Sequence, residues 1–431
     1  MNLTQQPPRR PTNTAMLGIV ALARMTDKAR AYKDETPGEH IYGNASGLDK
    51  KVLEFLNISE EDFANSAERF NDAELCDWIQ ETAPKTEDEI QTYNNDLLTW
   101  EPFDEASRQR LKDRLEKHGG DPNKFKTMLQ SMELDDWGCF REIDLTQHPP
   151  RTPYNRSVAG LYGLSRMSDK ARAAKVDKLN DYIYNCPIDE IILAFLNITA
   201  EDFQDAAWHN VNDIELSDWV RDQTERTQGE ISHFNHTISQ KGPEGDHQQE
   251  VFTKTLDRVA PNRTDITSWF DLLDLDDEHD YGIVDLTRHP PRSAYDTSLL
   301  NLIGLARMTD KGRASLSNSL GEYFYGKDSL LDSFVLKTLG ISAKDFQNAL
   351  RECTTDEAVV SHLQTNTKAS EEEIKAFNDD FISRGPRTTA QTDWFRNRVR
   401  GLDPNRDDLA TLIAMVQLDD QIVFTRLKAG V

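Results

Sequence analysis

Arg24-Met25-Thr26-Asp27-Lys28-Ala29-Arg30 decides the fold, because the chain writes it three times. It returns as Arg166-Met167-Ser168-Asp169-Lys170-Ala171-Arg172, 142 residues on (166 − 24), and as Arg307-Met308-Thr309-Asp310-Lys311-Gly312-Arg313, a further 141 on (307 − 166). Upstream, Leu3-Thr4 with Pro7-Pro8-Arg9 recurs as Leu145-Thr146 with Pro149-Pro150-Arg151 and as Leu286-Thr287 with Pro290-Pro291-Arg292. Downstream come Tyr42, Tyr184 and Tyr325, then Asp62-Phe63, Asp202-Phe203 and Asp345-Phe346. Leu134-Asp135-Asp136, Leu275-Asp276-Asp277 and Leu418-Asp419-Asp420 stand near the copies' ends. A period this long belongs to whole domains, not to the roughly 20–50-residue unit of a solenoid. The chain therefore divides into repeat domains 1–143, 144–284 and 285–431.

Each copy reads as helices joined by short turns, which predicts an all-α fold of three homologous domains. Leu17, Val20, Ala21 and Met25 stand at helical spacing, so a first helix is expected over 15–31, after a proline-rich extended arm. Ser59-x-x-Asp62, Thr199-x-x-Asp202, Ser342-x-x-Asp345, Thr86-x-x-Glu89 and Thr227-x-x-Glu230 are helix starts of the capping type. Asp121-Pro122 and Asp403-Pro404 fit a cap with proline in the first turn. The one candidate for extended structure is a short piece at 39–42, 181–184 and 322–325. Trp137, Cys139, Phe140 and Ile143 at one junction, and Tyr281, Ile283 and Val284 at the other, are not linker residues. Close packing of neighbouring copies is expected.

Of the 431 residues 37% are hydrophobic, ample for packed cores. A net charge of −25 argues against nucleic-acid and anionic-membrane partners, which need a concentrated basic face. No apolar run approaches the roughly 20 residues of a membrane helix. Arg9-Arg10 before the apolar run 15–23 resembles an export signal, but the same pattern inside the chain marks it as a domain's first helix. Cys76, Cys139, Cys186 and Cys353 include no close pair, so no disulfide framework, metal site or cofactor is expected, and a cytoplasmic location fits.

The Leu-Thr, Pro-Pro-Arg and Arg-Met-x-Asp-Lys-x-Arg elements carry a family resemblance. So do Gly321-Glu322-Tyr323-Phe324-Tyr325, Asn185-Cys186-Pro187-Ile188-Asp189 and Phe270 to Asp277. Together they resemble the domain of unknown function 5069 family, three times over and across essentially the whole chain. The resemblance implies no assigned activity, and its members are typically single domains. The first copy replaces the Cys-Pro turn with Ala45-Ser46-Gly47 and the third with Lys327 to Leu330, which weighs against a role for Cys186. The aspartate persists as Asp49, Asp189 and Asp332.

Helical spacing places Arg24, Asp27 and Lys28 on one side of the first helix, with Arg30 on a neighbouring edge. The candidate cluster comprises these with Arg9 and Tyr42, then Arg151, Arg166, Asp169, Lys170, Arg172 and Tyr184, then Arg292, Arg307, Asp310, Lys311, Arg313 and Tyr325. Two readings stand. A surplus of cations suits a small anion, whereas a structural ion network would draw its carboxylates from Asp135 or Glu39. His148 and His289 have Gln6 in their place in the first copy, so catalysis there is restricted to two copies. The aspartate pairs lack a recurring histidine, and Trp78 and Trp219 read as core, with His362 in the third copy. No phosphate loop, nucleophile elbow, His-Glu-x-x-His or Cys-x-x-Cys is present. The first reading of function is a non-enzymatic interaction or scaffold protein offering three similar surfaces to a protein partner. The alternative is an anionic-metabolite site, or a cofactor-independent enzyme, in each copy.

Overall fold

The computed structural model describes residues 1–260, 263, 266–287, 289–353, 355–367 and 369–429, with side chains through 422 in the last helix. Among the described residues, every repeat contains seven α-helices. The first has α1 Leu22–Lys33, α2 Gly47–Leu56, α3 Glu60–Arg69, α4 Asp72–Thr82, α5 Glu87–Leu98, α6 Glu105–His118 and α7 Met128–Phe140. The second has α8 Leu164–Ala174, α9 Pro187–Leu196, α10 Ala200–His209, α11 Asp213–Gln223, α12 Gln228–Ser239, α13 Gly245–Val259 and α14 Trp269–Tyr281. The third has α15 Leu305–Leu316, α16 Leu330–Leu339, α17 Ala343–Glu352, α18 Asp356–Asn366, α19 Glu371–Ser383, α20 Thr389–Leu402 and α21 Leu412–Ala429. No strand occurs among the described residues, and the expected extended piece forms none; Tyr42 has extended backbone but no ladder partner. None of the described helices is long and apolar enough to cross a membrane.

Capping chemistry sets most helix starts. Ser59, Thr199 and Ser342 accept the amides of Asp62, Asp202 and Asp345, and Thr86 and Thr227 close capping boxes with Glu89 and Glu230. The Asp-Pro expectation is corrected. Asp121 and Asp403 turn their side chains onto the amides of Asn123 and Asn405, making local turns. In the first copy the helix waits for Thr127, which forms a box with Gln130.

The first helix is also shorter than its periodicity predicts, starting at Leu22 rather than 15. Leu17, Gly18 and Ala21 take left-handed backbone, as do Ala159, Gly160 and Gly163, and Leu300, Asn301 and Gly304. Buried non-helical backbone must find hydrogen-bond partners. An asparagine two-thirds of the way through each repeat supplies them. Asn94 accepts from the Val20 amide at 2.9 Å and donates to the Gly18 carbonyl at 2.7 Å. Asn235 does the same for Tyr162 and Gly160, and Asn378 for Ile303 and Asn301.

Because the arm and these turns wrap its start, the helix is buried all round rather than along one stripe: Leu22 through Ala29 and Ala31 are all covered. It packs on α3, as α8 packs on α10 and α15 on α17. The small residues that allow this approach are Ala29 with Ala67 and Ala171 with Ala207, all buried; the third copy has Gly312 with Leu350 instead. A Cβ on Gly312 would sit 2.3 Å from Leu350 Cδ1. The glycine therefore makes room for the leucine. Gly312→Ala is expected to destabilise by about 1–3 kcal/mol despite better helix propensity. Gly312→Ala with Leu350→Ala, which restores the packing of the other copies, is expected to cost less than Leu350→Ala alone. Denaturant melts of the three variants read the order, and a stabilising Gly312→Ala would overturn it.

By internal contacts the chain falls into two units, Met1–Phe252 with Thr264–Leu273 and Thr253–Arg263 with Asp274–Val431. Within the first, the junction packs as its composition predicts. Trp137 donates to the Trp208 carbonyl at 2.9 Å, the rings meet edge to face, and Arg141 lies 4.0 Å over Trp137. The arm of the first copy binds the second: Asn212 donates to the Pro7 carbonyl, Gln6 accepts from the Asp213 amide, and Glu215 accepts from the Arg10 amide, each at 2.8 Å.

Candidate functional site

The recurring heptad forms an ion core whose carboxylates come from four different elements. Arg9 leaves the proline arm and chelates Asp27, with Nη2 at 2.7 Å from Oδ1 and its own amide 2.8 Å from Oδ2. Its Nη1 reaches Asp72 at the start of α4, 2.6 Å away. Arg30 meets the other oxygen of Asp72 at 2.6 Å. Arg24 pairs with Asp136 of α7 at 2.6 Å, and Lys28 with Asp49 of α2 at 2.5 Å. The third copy repeats the set: Arg292 on Asp310 and Asp356, Arg313 on Asp356, Arg307 on Asp420 and Lys311 on Asp332.

The second copy keeps Arg151 on Asp169 and Asp213, and Lys170 on Asp189. Arg166 stacks over Tyr182. Arg172 departs from the pattern and donates to the main-chain carbonyls of Arg141, at 3.1 Å, and Phe140. Burial pulls its pKa down to about 10, which leaves it charged at neutral pH.

The burial of these groups is felt in their titration. Burial lifts the Asp72 and Asp356 carboxyls, but the paired arginines outweigh it and hold both below the usual range. For the lysine pairs burial wins on both sides in the first copy: the Lys28 ammonium is pulled down and the Asp49 carboxyl pushed up.

Two expectations about partners are corrected. Asp136, not Asp135, meets the heptad arginine, because neighbours on a helix point apart. Asp135, Asp276 and Asp419 turn instead to Arg114, Arg258 and Arg398 of the preceding helix. Glu39 is exposed, and the carboxylates of the core are those of Asp27, Asp49, Asp72 and Asp136. The second-carboxylate set of Asp72, Asp213 and Asp356 escaped sequence reading, although each follows a helix-capping Asn71, Asn212 or Thr355.

Tyr42, Tyr184 and Tyr325 donate to the carbonyls of Glu60, Ala200 and Ala343, the first residues of α3, α10 and α17. Burial raises all three phenols. Such hydroxyls stay protonated and tie the segment between the first two helices of each repeat to its third. His148 is exposed against its own proline, whereas His289 pairs with Glu278 at 2.8 Å; burial opposes its charge, but Glu278 prevails and raises its pKa to about 9. Trp78 and Trp219 lie partly buried against their cores. Two open surface clefts, one around Asp202, His209 and Trp219 and one around Arg108, Leu115 and Phe125, contain no heptad residue.

The arrangement defines a class: tandem all-helical domains, each closed around a buried ion network on its central helix. The chain belongs to the family described as Domain of unknown function (DUF5069), whose profile matches residues 5–137, 147–279 and 288–422. No curated protein matches it.

Proposed function

We propose that the protein is a multivalent interaction protein, in which each repeat presents one rigid apolar knob to a protein partner. One observation carries this reading: Ile41, Ile183 and Phe324 occupy the same place in the three copies and are 59%, 67% and 68% exposed. Single exposed apolar residues are ordinary on a surface. Their recurrence at one structural position is what asks for a cause.

The ion core holds that position still. Lys28, Lys170 and Lys311 donate to the carbonyls of the three knob residues at 3.1, 3.1 and 3.0 Å. The tyrosine that follows each knob is tied through its hydroxyl to α3, α10 or α17. A side chain fixed on both flanks loses little conformational freedom on binding, which favours affinity. Three such sites on one chain add avidity where a partner or partner array can engage more than one.

The metabolite-site alternative loses support from the same geometry, since the heptad cations of the first and third copies already meet carboxylates. The test is site-specific crosslinking of the full chain in its native cells. A benzophenone side chain at 41, 183 or 324 is expected to capture one common protein, and the same group at the exposed position 68 is not. Adducts that are absent at all three, or no different from position 68, would overturn the proposal. Stabilisation of the wild type, but not of Arg166→Ala, by an anionic metabolite would favour the alternative.

A further inference from the structure

We propose that the end of α6 and the last turns of α7 form a divalent transition-metal site in the first repeat, ligated by His118, Asp135 and Cys139. The spacing of the cysteines gives no hint of it. The fold creates it, because Asp135 and Cys139 lie one helical turn apart on α7 and His118 is the last residue of α6.

The three donor atoms converge on one point. His118 Nε2 lies 3.4 Å from Asp135 Oδ1 and 4.0 Å from Cys139 Sγ, and all three atoms are within 4.8 Å of one another. Ligands of a tetrahedral zinc stand roughly 3.3–3.6 Å apart, from bond lengths of about 2.0–2.3 Å, so a side-chain closure of up to about 1 Å between the widest-spaced donors completes the set. A Cys-His-Asp relay would need the carboxylate on one imidazole nitrogen and the sulfur on the other. Here both face Nε2, which is the geometry of ligands around an ion.

The surroundings are built for this. His118 is 6% exposed, and its ring lies flat on Gly138, where a Cβ would come within 2.0 Å of Nδ1. Only glycine leaves room for the imidazole. Arg114 holds Asp135 Oδ2 at 2.8 Å and thereby aims Oδ1 at the site, the orienting role that outer partners play for metal-binding carboxylates. Lys117 Nζ stands 3.7 Å from Cys139 Sγ on an exposed helix end and is free to swing away. On binding, Cys139 gives up its thiol proton to solvent and the thiolate bonds the metal.

The second repeat already holds a cation at this place. Arg258 bridges Asp276 and Asp280, the counterparts of Asp135 and Cys139 on α14. A nitrogen, oxygen and sulfur set selects a borderline-soft ion, and zinc is the probe of choice.

Titration of the chelator-treated full chain with Zn2+ is expected to show one site with a Kd in the micromolar range or tighter. Co2+ is expected to give a near-ultraviolet thiolate charge-transfer band. Cys139→Ser, at an exposed position that leaves the fold intact, is expected to abolish the band and weaken Zn2+ binding at least about tenfold. His118→Gln should weaken binding as well, whereas Cys76→Ser should not. A missing cobalt band in the wild type, a Kd above about 100 µM, or equal binding by Cys139→Ser would overturn the proposal.

Discussion

Lys28→Met is expected to cost about 3–5 kcal/mol, and Lys28→Met combined with Asp49→Leu to return most of that loss. Lys28 is 4% and Asp49 1% exposed, so removing the lysine leaves a carboxylate stranded beneath α1 and α2. The opposite pull on the two groups, ammonium down and carboxyl up, means that burial costs the charged forms more than their mutual attraction returns. Two apolar side chains of similar volume avoid both costs. Recovery stays incomplete because the Ile41 carbonyl and the Ser46 hydroxyl lose the donor they share at 3.1 and 3.2 Å. Hydrogen exchange of the α1 amides in the full chain reads both variants without requiring the chain to unfold in one step. A single variant costing under about 1 kcal/mol, or a double variant worse than the single, would refute the argument.

If the double variant is stable, the pair's use lies elsewhere, and the structure offers one. Lys28 is the donor that fixes the carbonyl of the exposed Ile41, so the double variant should keep its helices while loosening that turn. The same construction stands behind Ile183 and Phe324, with the ion pairs at 2.7 and 2.6 Å.

These consequences divide between what the residues announce and what they hide. The three domains, the capped helix starts and the packed first junction are legible because they depend on residues near in sequence. The ion core was only half legible. Its Arg24, Lys28 and Arg30 share one heptad, but their carboxylates arrive from sequence distances of 112, 21 (49 − 28) and 42 residues, which helical spacing cannot connect. Periodicity also mistook the left-handed turn before α1 for helix, because apolar spacing does not register backbone bonds supplied by Asn94 from 76 residues away. The histidine, aspartate and cysteine at the end of the first repeat are silent for the same reason: their convergence depends on how α6 and α7 pack.

Arg172→Ala is expected to lower stability by about 2–4 kcal/mol and to open the junction between the first two repeats. Its counterparts Arg30 and Arg313 reach the carboxylates of Asp72 and Asp356 at 2.6 and 2.8 Å. Arg172 instead caps the carbonyls of Phe140 and Arg141, where α7 of the preceding repeat ends. A cation at a helix C-terminus meets the negative end of its dipole, and here it does so while nearly fully buried. Removing it strands two carbonyls and deletes a charge-assisted bond across the junction. Asp213 keeps Arg151 at 2.6 Å, so the second copy's own core is not the first thing to fail. Limited proteolysis should therefore cut Arg172→Ala between 141 and 147 faster than wild type. Arg30→Ala, which disturbs a core but no junction, should lose comparable stability without that cleavage. Equal junction cleavage in the two variants would mean that the arginine stabilises its own repeat and does not clamp the two together.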